Sequence, residues 1–179
     1  YNNEYLKYTV EDGIATITID QTNQPTNLFS LKFTEVYYEA AMKAINDADV
    51  IGVIVASGQK VFMAGGDLRE LSQPVDDPKD FFDAIMLVHK RMREIETAGK
   101  PFVAAINGTA LGGGLELALT CHRRIAIDST KIKIGLPESK VGLIPGGGGS
   151  SKLCYLTGIQ QGLTYMLQGK ELRPQEALS

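Results

Sequence analysis

A chain of 179 residues, 44% hydrophobic and 22% charged, has enough apolar material for one packed domain and too little bias for a disordered, collagenous or fibrous chain. A formal net charge of −3 provides no broad basic field, so no nucleic acid is expected as a partner. Cys121 and Cys154 form no CxxC pair, which argues against a disulfide framework or a zinc site and fits a reducing, cytoplasmic setting.

In chain order, Tyr5 to Val10 and Ile14 to Ile19 flank Glu11-Asp12-Gly13, the pattern of a β-hairpin turning at the glycine. From Ser30, a good N-cap type, Phe33, Val36, Tyr37, Ala40, Ala41, Ala44 and Ile45 recur at three- and four-residue steps and predict an amphipathic helix. Val50 to Ala56 is a β-branched run of the kind found in buried strands. Phe81, Phe82, Ile85, Met86, His89, Met92 and Ile95 trace a second helical face. Phe102 to Ile106 predicts a strand, followed by a glycine loop and a helix over Leu115 to Leu119. Two more strands are expected at Arg124 to Ile127 and Lys131 to Ile134, then helices from Ser150 to about Leu167. Strands alternating with helices define an α/β chain, and no repeat or linker divides residues 1–179 into two domains. A helix opening at Pro174 is barely under way at Ser179, so the end reads as a cut one. No apolar run approaches the roughly 18 residues of a membrane span. Tyr1 to Asp20 also lacks the basic-then-apolar order of a signal peptide.

Nineteen glycines are many for this length, and they gather between Gly108 and Gly149. Without a Cβ, such loops bring backbone N–H groups close to a ligand. Gly146-Gly147-Gly148-Gly149-Ser150-Ser151 has serine where a dinucleotide fingerprint needs its third glycine. Gly99-Lys100-Pro101 and Gly169-Lys170-Glu171 lack the Ser or Thr of a P-loop. What remains is the pairing of glycine loops with two acids, Glu116 and Glu138. His89 and His122 have no ligand-spaced partners and read as structural, so no metal site is expected.

Three blocks carry a resemblance. Phe62-Met63-Ala64-Gly65-Gly66-Asp67-Leu68 is the first, and Asn107-Gly108-Thr109-Ala110-Leu111-Gly112-Gly113-Gly114-Leu115-Glu116 the second. Gly135-Leu136-Pro137-Glu138 with Gly142-Leu143-Ile144-Pro145-Gly146-Gly147-Gly148-Gly149 is the third. In order and spacing they resemble the signatures of the crotonase, or enoyl-CoA hydratase/isomerase, superfamily. Asn23 to Ser30 is similar to the family loop that meets coenzyme A through main-chain groups, in a form closest to the hydratase domains of multifunctional fatty-acid-oxidation proteins. The resemblance implies a crotonase-like spiral of ββα units and assembly as a homotrimer or hexamer, or within a fatty-acid-oxidation complex. It also implies a further C-terminal helical segment, so residues 1–179 are expected to be the core domain.

Roles follow from the same resemblance. The N–H groups of Gly66 and Gly113 match the donors to the thioester oxygen. Glu116 matches the group that activates water, and Glu138 the main proton donor to carbon. Leu28, Ala64, Gly65, Asp67, Leu68, Gly112 and Pro137 fall in segments that meet the acyl-CoA, Asp67 chiefly by capping the next helix. Lys152 stands where many relatives carry arginine, at a place that faces phosphate or a neighbouring subunit. Coenzyme A enters as part of the substrate, with no separate cofactor. The chemistry has an independent logic: adding water across a conjugated enoyl thioester puts negative charge on the thioester oxygen, where fixed N–H donors stabilise it. It also needs one base and one acid, which two carboxyl groups supply. Hydration of trans-2-enoyl-CoA is the expected reaction. An isomerase using one glutamate, or a non-catalytic acyl-CoA binding module, are the alternatives.

Overall fold

The computed structural model describes residues 2–74 and 76–178. Strands β1 (Leu6–Glu11) and β2 (Ile14–Ile19) form an antiparallel hairpin. Its turn at Asp12 and Gly13 has φ of 49° and 75°, the left-handed values that a two-residue hairpin loop needs. Strands β3 (Gly52–Ser57), β4 (Phe102–Ile106) and β6 (Arg123–Ala126) then add in parallel, giving the order β1-β2-β3-β4-β6.

After each of β2, β3 and β4 the chain crosses into a second, narrower layer before it enters a helix. The steps of that layer pair in parallel: Phe29 with Gly66, Met63 with Ala110, and β5 (Ala110–Leu111) with β7 (Ile134–Gly135). Strand β8 (Glu171–Leu172) closes the layer antiparallel to β7. Helix α1 (Leu31–Asn46) follows the first step, α2 (Leu68–Leu71) and α3 (Pro78–Thr97) the second, and α4 (Gly113–Thr120) the third. Strand, short second-layer strand, helix is the repeated unit, and its stacking is the crotonase-type spiral. A 3-10 turn (Glu138–Val141), α5 (Gly149–Thr157), α6 (Ile159–Gln168) and α7 (Pro174–Leu178) complete the described chain.

The core lies between the five-stranded sheet and the helices. Ile17, Ile19, Val55, Phe102 and Ala104 meet Phe33, Tyr37, Ala40, Ala41 and Ala44 of α1 with Val88, Met92 and Ile95 of α3. Ser30 caps α1 as expected, its side chain accepting from the Phe33 N–H at 3.1 Å.

Two sequence expectations need correction. The spacing predicts one apolar face of α3 from Phe81 to Ile95, yet Phe81, Phe82 and Met86 are exposed and only Val88, Met92 and Ile95 are buried. A helix of 20 residues is about 30 Å long, and its first half extends beyond the core that holds the second. The strand expected at Lys131 to Ile134 is reduced to Ile134–Gly135. Its partner β5 is two residues long because Gly112 turns the chain out of the layer at φ 51°.

Candidate active site

Glycine-rich segments lead from the second layer into α2 and α4. The Phe29 to Gly66 bridge is made by Phe29 N–H to Gly65 O at 2.7 Å and by Asp67 N–H to Phe29 O at 3.2 Å. Both bonds flank Gly66, whose own N–H has no acceptor among the described residues. Gly113 is the first residue of α4, where helix geometry supplies no partner to the N–H, and none comes from elsewhere in the described chain. The two segments touch: a Cβ on Gly112 would lie 3.5 Å from the Gly65 Cα. The chain thus holds two uncommitted N–H donors on adjoining segments, one of them at a helix N-terminus, where the dipole favours negative charge.

These segments are braced by two residues that the sequence reading did not single out. Asn27 is fully buried; its Nδ2 donates toward Ile19 O, Ser57 Oγ and Phe62 O at 3.2, 3.0 and 3.1 Å. Its Oδ1 accepts from Gln21 N–H at 3.0 Å, and its carbonyl from Ala64 N–H at 2.9 Å. Gln21 closes the loop by donating to Leu28 O at 2.7 Å and accepting from Leu28 N–H at 3.3 Å. Both main-chain groups of Leu28, expected to face coenzyme A, therefore already hold the Gln21 amide. Both fall in the largely polar stretch Asp20 to Asn27, which reads in sequence as a solvated loop and gives no sign of burial.

Glu116 sits on α4 with 4% of its surface exposed. Its Oε1 accepts from Gly147 N–H at 2.7 Å and Gly149 N–H at 2.8 Å. Burial raises the Glu116 carboxyl above its ordinary value, while those two N–H groups and nearby His89 oppose the rise. Gly147 packs directly against the carboxylate, where a Cβ would lie 2.8 Å from Glu116 Oε2 and displace it. Glu138 opens the 3-10 turn behind Pro137 and is half-buried, its Oε2 without a hydrogen-bond partner among the described residues. Burial pushes its carboxyl up to about 7; its own N–H opposes this and the charge of Glu116 adds to it. A Cβ on Gly112 would meet Glu138 Oε1 at 2.9 Å, so the second acid borders the segment that presents Gly113.

The structure therefore brings together Gly65, Gly112, Gly113, Glu116 and Glu138, with Gly66 and Pro137 adjoining in sequence. Asp67 caps α2 through Arg69 N–H at 3.0 Å and pairs with the Arg69 guanidinium at 2.9 Å. Ala64 and Leu68 are exposed beside it. Lys152, expected to face phosphate or another subunit, pairs with Glu96 of α3 at 2.8 Å. A cavity of about 800 Å³ lies elsewhere, among α4, α5, α6 and α7, and neither glutamate lines it. Among the described residues no group of three His, Cys, Asp or Glu could hold a metal ion, and no helix is long and apolar enough to cross a membrane.

Fold and site together define a crotonase-type α/β protein, with free backbone donors and an acid pair where its helices begin. The family model for enoyl-CoA hydratase/isomerase matches residues 9–179, and the chain belongs to that family. It is 43% identical over 172 residues to the fatty acid oxidation complex subunit alpha of Idiomarina loihiensis, covering 94% of this chain and 24% of that protein. The subunit of the same name from Shewanella loihica is 41% identical over 170 residues, with the same coverage. The chain thus spans about a quarter of the length of these curated relatives. An enoyl-CoA hydratase structure from Geobacillus kaustophilus superposes with a TM-score of 0.92 at 33% identity, covering 99% of this chain and 66% of that one. One from Thermoplasma volcanium gives 0.88 at 27%, covering 98% and 68%.

Proposed function

We propose that this chain is the hydratase unit of a fatty-acid-oxidation protein, adding water across trans-2-enoyl-CoA to give 3-hydroxyacyl-CoA. The observation that carries the reading is the contrast between two neighbouring carboxyls. Glu116 is held by two N–H donors, whereas Glu138 is raised to about 7 and keeps a buried oxygen without a partner among the described residues. Two neighbouring carboxyls held so differently suit one base and one acid around a single water. Glu116 takes a proton from water as its oxygen attacks the β-carbon, and Glu138 delivers a proton to the α-carbon. The pair titrates as a unit, so the division is one of emphasis. The N–H groups of Gly66 and Gly113 hold the enolate oxygen that forms between the two proton transfers.

In this reading coenzyme A arrives with the substrate, no separate cofactor is needed, and the unit works in the cytoplasm within a trimer or a larger oxidation complex. Ala64, Gly65, Asp67 and Leu68 line the approach to Gly66. Leu28, Gly112 and Pro137 border it.

The test is hydration of crotonyl-CoA, followed by loss of the conjugated thioester absorbance with product analysis alongside. Glu116→Gln and Glu138→Gln should each lower turnover by about 10²–10⁴-fold, as expected for loss of a general acid or base. Near-normal hydration by either variant overturns the assignment. Positional isomers in place of 3-hydroxyacyl-CoA would make the unit an isomerase. Binding of an acyl-CoA analogue without turnover would make it a binding module.

A further inference from the structure

The run Gly146 to Gly149 holds Glu116, yet four consecutive glycines have no side chains to fix their own peptide planes, and Gly148 stands at φ 100°. One outside contact acts on the peptide unit that matters. His89 of α3 places Nε2 2.7 Å from Gly146 O. That carbonyl and the Gly147 N–H belong to one planar peptide group, and the Gly147 N–H donates to Glu116 Oε1 at 2.7 Å. With the proton on Nε2, a continuous chain runs from imidazole through the Gly146–Gly147 peptide to the carboxylate.

We propose that His89 is a positioning residue: its Nε2–H fixes the Gly146–Gly147 peptide plane and so aims the Gly147 N–H that orients the Glu116 carboxylate. Hydrogen bonds in such a chain also polarise one another, so the Gly147 N–H becomes a better donor when its carbonyl is engaged. The anchor sits on the part of α3 that is packed, one residue after the buried Val88. A loop with little stiffness of its own is thereby tied to the core. On the loop's other side Ser151 Oγ bonds Gly148 O at 3.1 Å, which steadies the start of α5 and leaves the Gly146–Gly147 peptide to His89.

Titratable groups near the Glu116 carboxylate and the loop that holds it come from several elements. Glu138 stands on the 3-10 turn and His89 on α3, while Lys152 on α5 is engaged with Glu96, which also pairs with Arg93. A charge effect of His89 on Glu116 must therefore be separated from the hydrogen-bond route. Gln does this, because its amide keeps a donor of similar reach and removes the imidazole.

The inference rests on the hydratase reading for its kinetic arm alone. In the intact protein, His89→Ala should lower kcat for crotonyl-CoA about 10-fold, with KM changed less than about 2-fold, as for a misaligned catalytic group. The acid limb of the kcat/KM profile should move to higher pH, because Glu116 loses part of what holds it ionised. His89→Gln should recover most of both losses. In ¹⁵N-glycine-labelled protein, the Gly147 amide resonance should shift in His89→Ala and return toward its wild-type position in His89→Gln. That spectrum needs no turnover, so an inactive wild type would sink the hydratase reading while His89 is still judged. An unmoved Gly147 resonance in His89→Ala, or a His89→Gln variant no better than His89→Ala, overturns the proposal.

Discussion

Glu138 shows how a single side chain trades stability for chemistry. It is an acid whose folded-state value, about 7, stands above the ordinary 4.5 because burial disfavours its charge. The unfolded chain therefore gives up this proton first. The group's effect is nil below about pH 4.5, grows as a loss of stability from there to about pH 7, and then levels off. Glutamine cannot ionise, so Glu138→Gln escapes the loss. The melting temperature of Glu138→Gln relative to wild type should accordingly be higher at pH 8 than at pH 4, even though the variant turns over poorly. A difference that stays constant with pH would show that Glu138 is not held as a raised acid. Glu116 is raised by burial in the same direction, but two N–H donors partly offset its deeper burial, the arrangement that keeps a buried carboxylate usable as a base.

At the scale of elements, the loop between β2 and α1 does more than connect them. Asn27 joins the end of β2, the end of β3 and the Phe62 to Ala64 segment, and these are the pieces that set the height of Gly66. Asn27→Ala would leave Ile19 O, Phe62 O and the Gln21 N–H without this partner. A cost of about 2–4 kcal/mol is expected, from several buried polar groups losing bonds worth roughly 1 kcal/mol each and keeping their desolvation. Urea unfolding measures that loss. Turnover should fall with it under conditions where the variant is still folded, because the Ala64 to Gly66 segment loses its anchor. Unchanged stability would show that the brace is replaced by water.

Across the whole molecule, the helices stack on one sheet while the chemistry gathers along the narrow second layer. Core and site can therefore be altered separately. Tyr37 sits fully buried between α1 and the sheet, and its hydroxyl has no hydrogen-bond partner among the described residues. Tyr37→Phe removes an unpaired polar atom at nearly constant volume, and should raise stability by about 1 kcal/mol with little change in turnover. A rise in the urea midpoint at constant slope would confirm it; a fall would reveal a partner for that hydroxyl, such as a buried water.

Local chemistry in the sequence determined much of this protein. The turn at Asp12-Gly13, the Ser30 cap, the periodic face of α1 and the strands at Phe102 and Gly52 are set by residues within a few positions of one another. The glycine blocks stand out in the same way, because a ligand-facing backbone needs glycine where it bends, while both glutamates draw their roles from the family resemblance of those blocks. Tertiary structure alone decided which N–H groups keep no acceptor, that Glu138 is raised and Lys152 is paired, and that Gln21 and Asn27 brace the site. It also decided that only the second half of α3 is buried. Each of these depends on a partner distant in sequence: Glu116 meets a loop 31 residues away and Asn27 a carbonyl 35 away. Periodicity records the preference of a residue for an interior, while the winding of the ββα units decides which interior it reaches and who is waiting there.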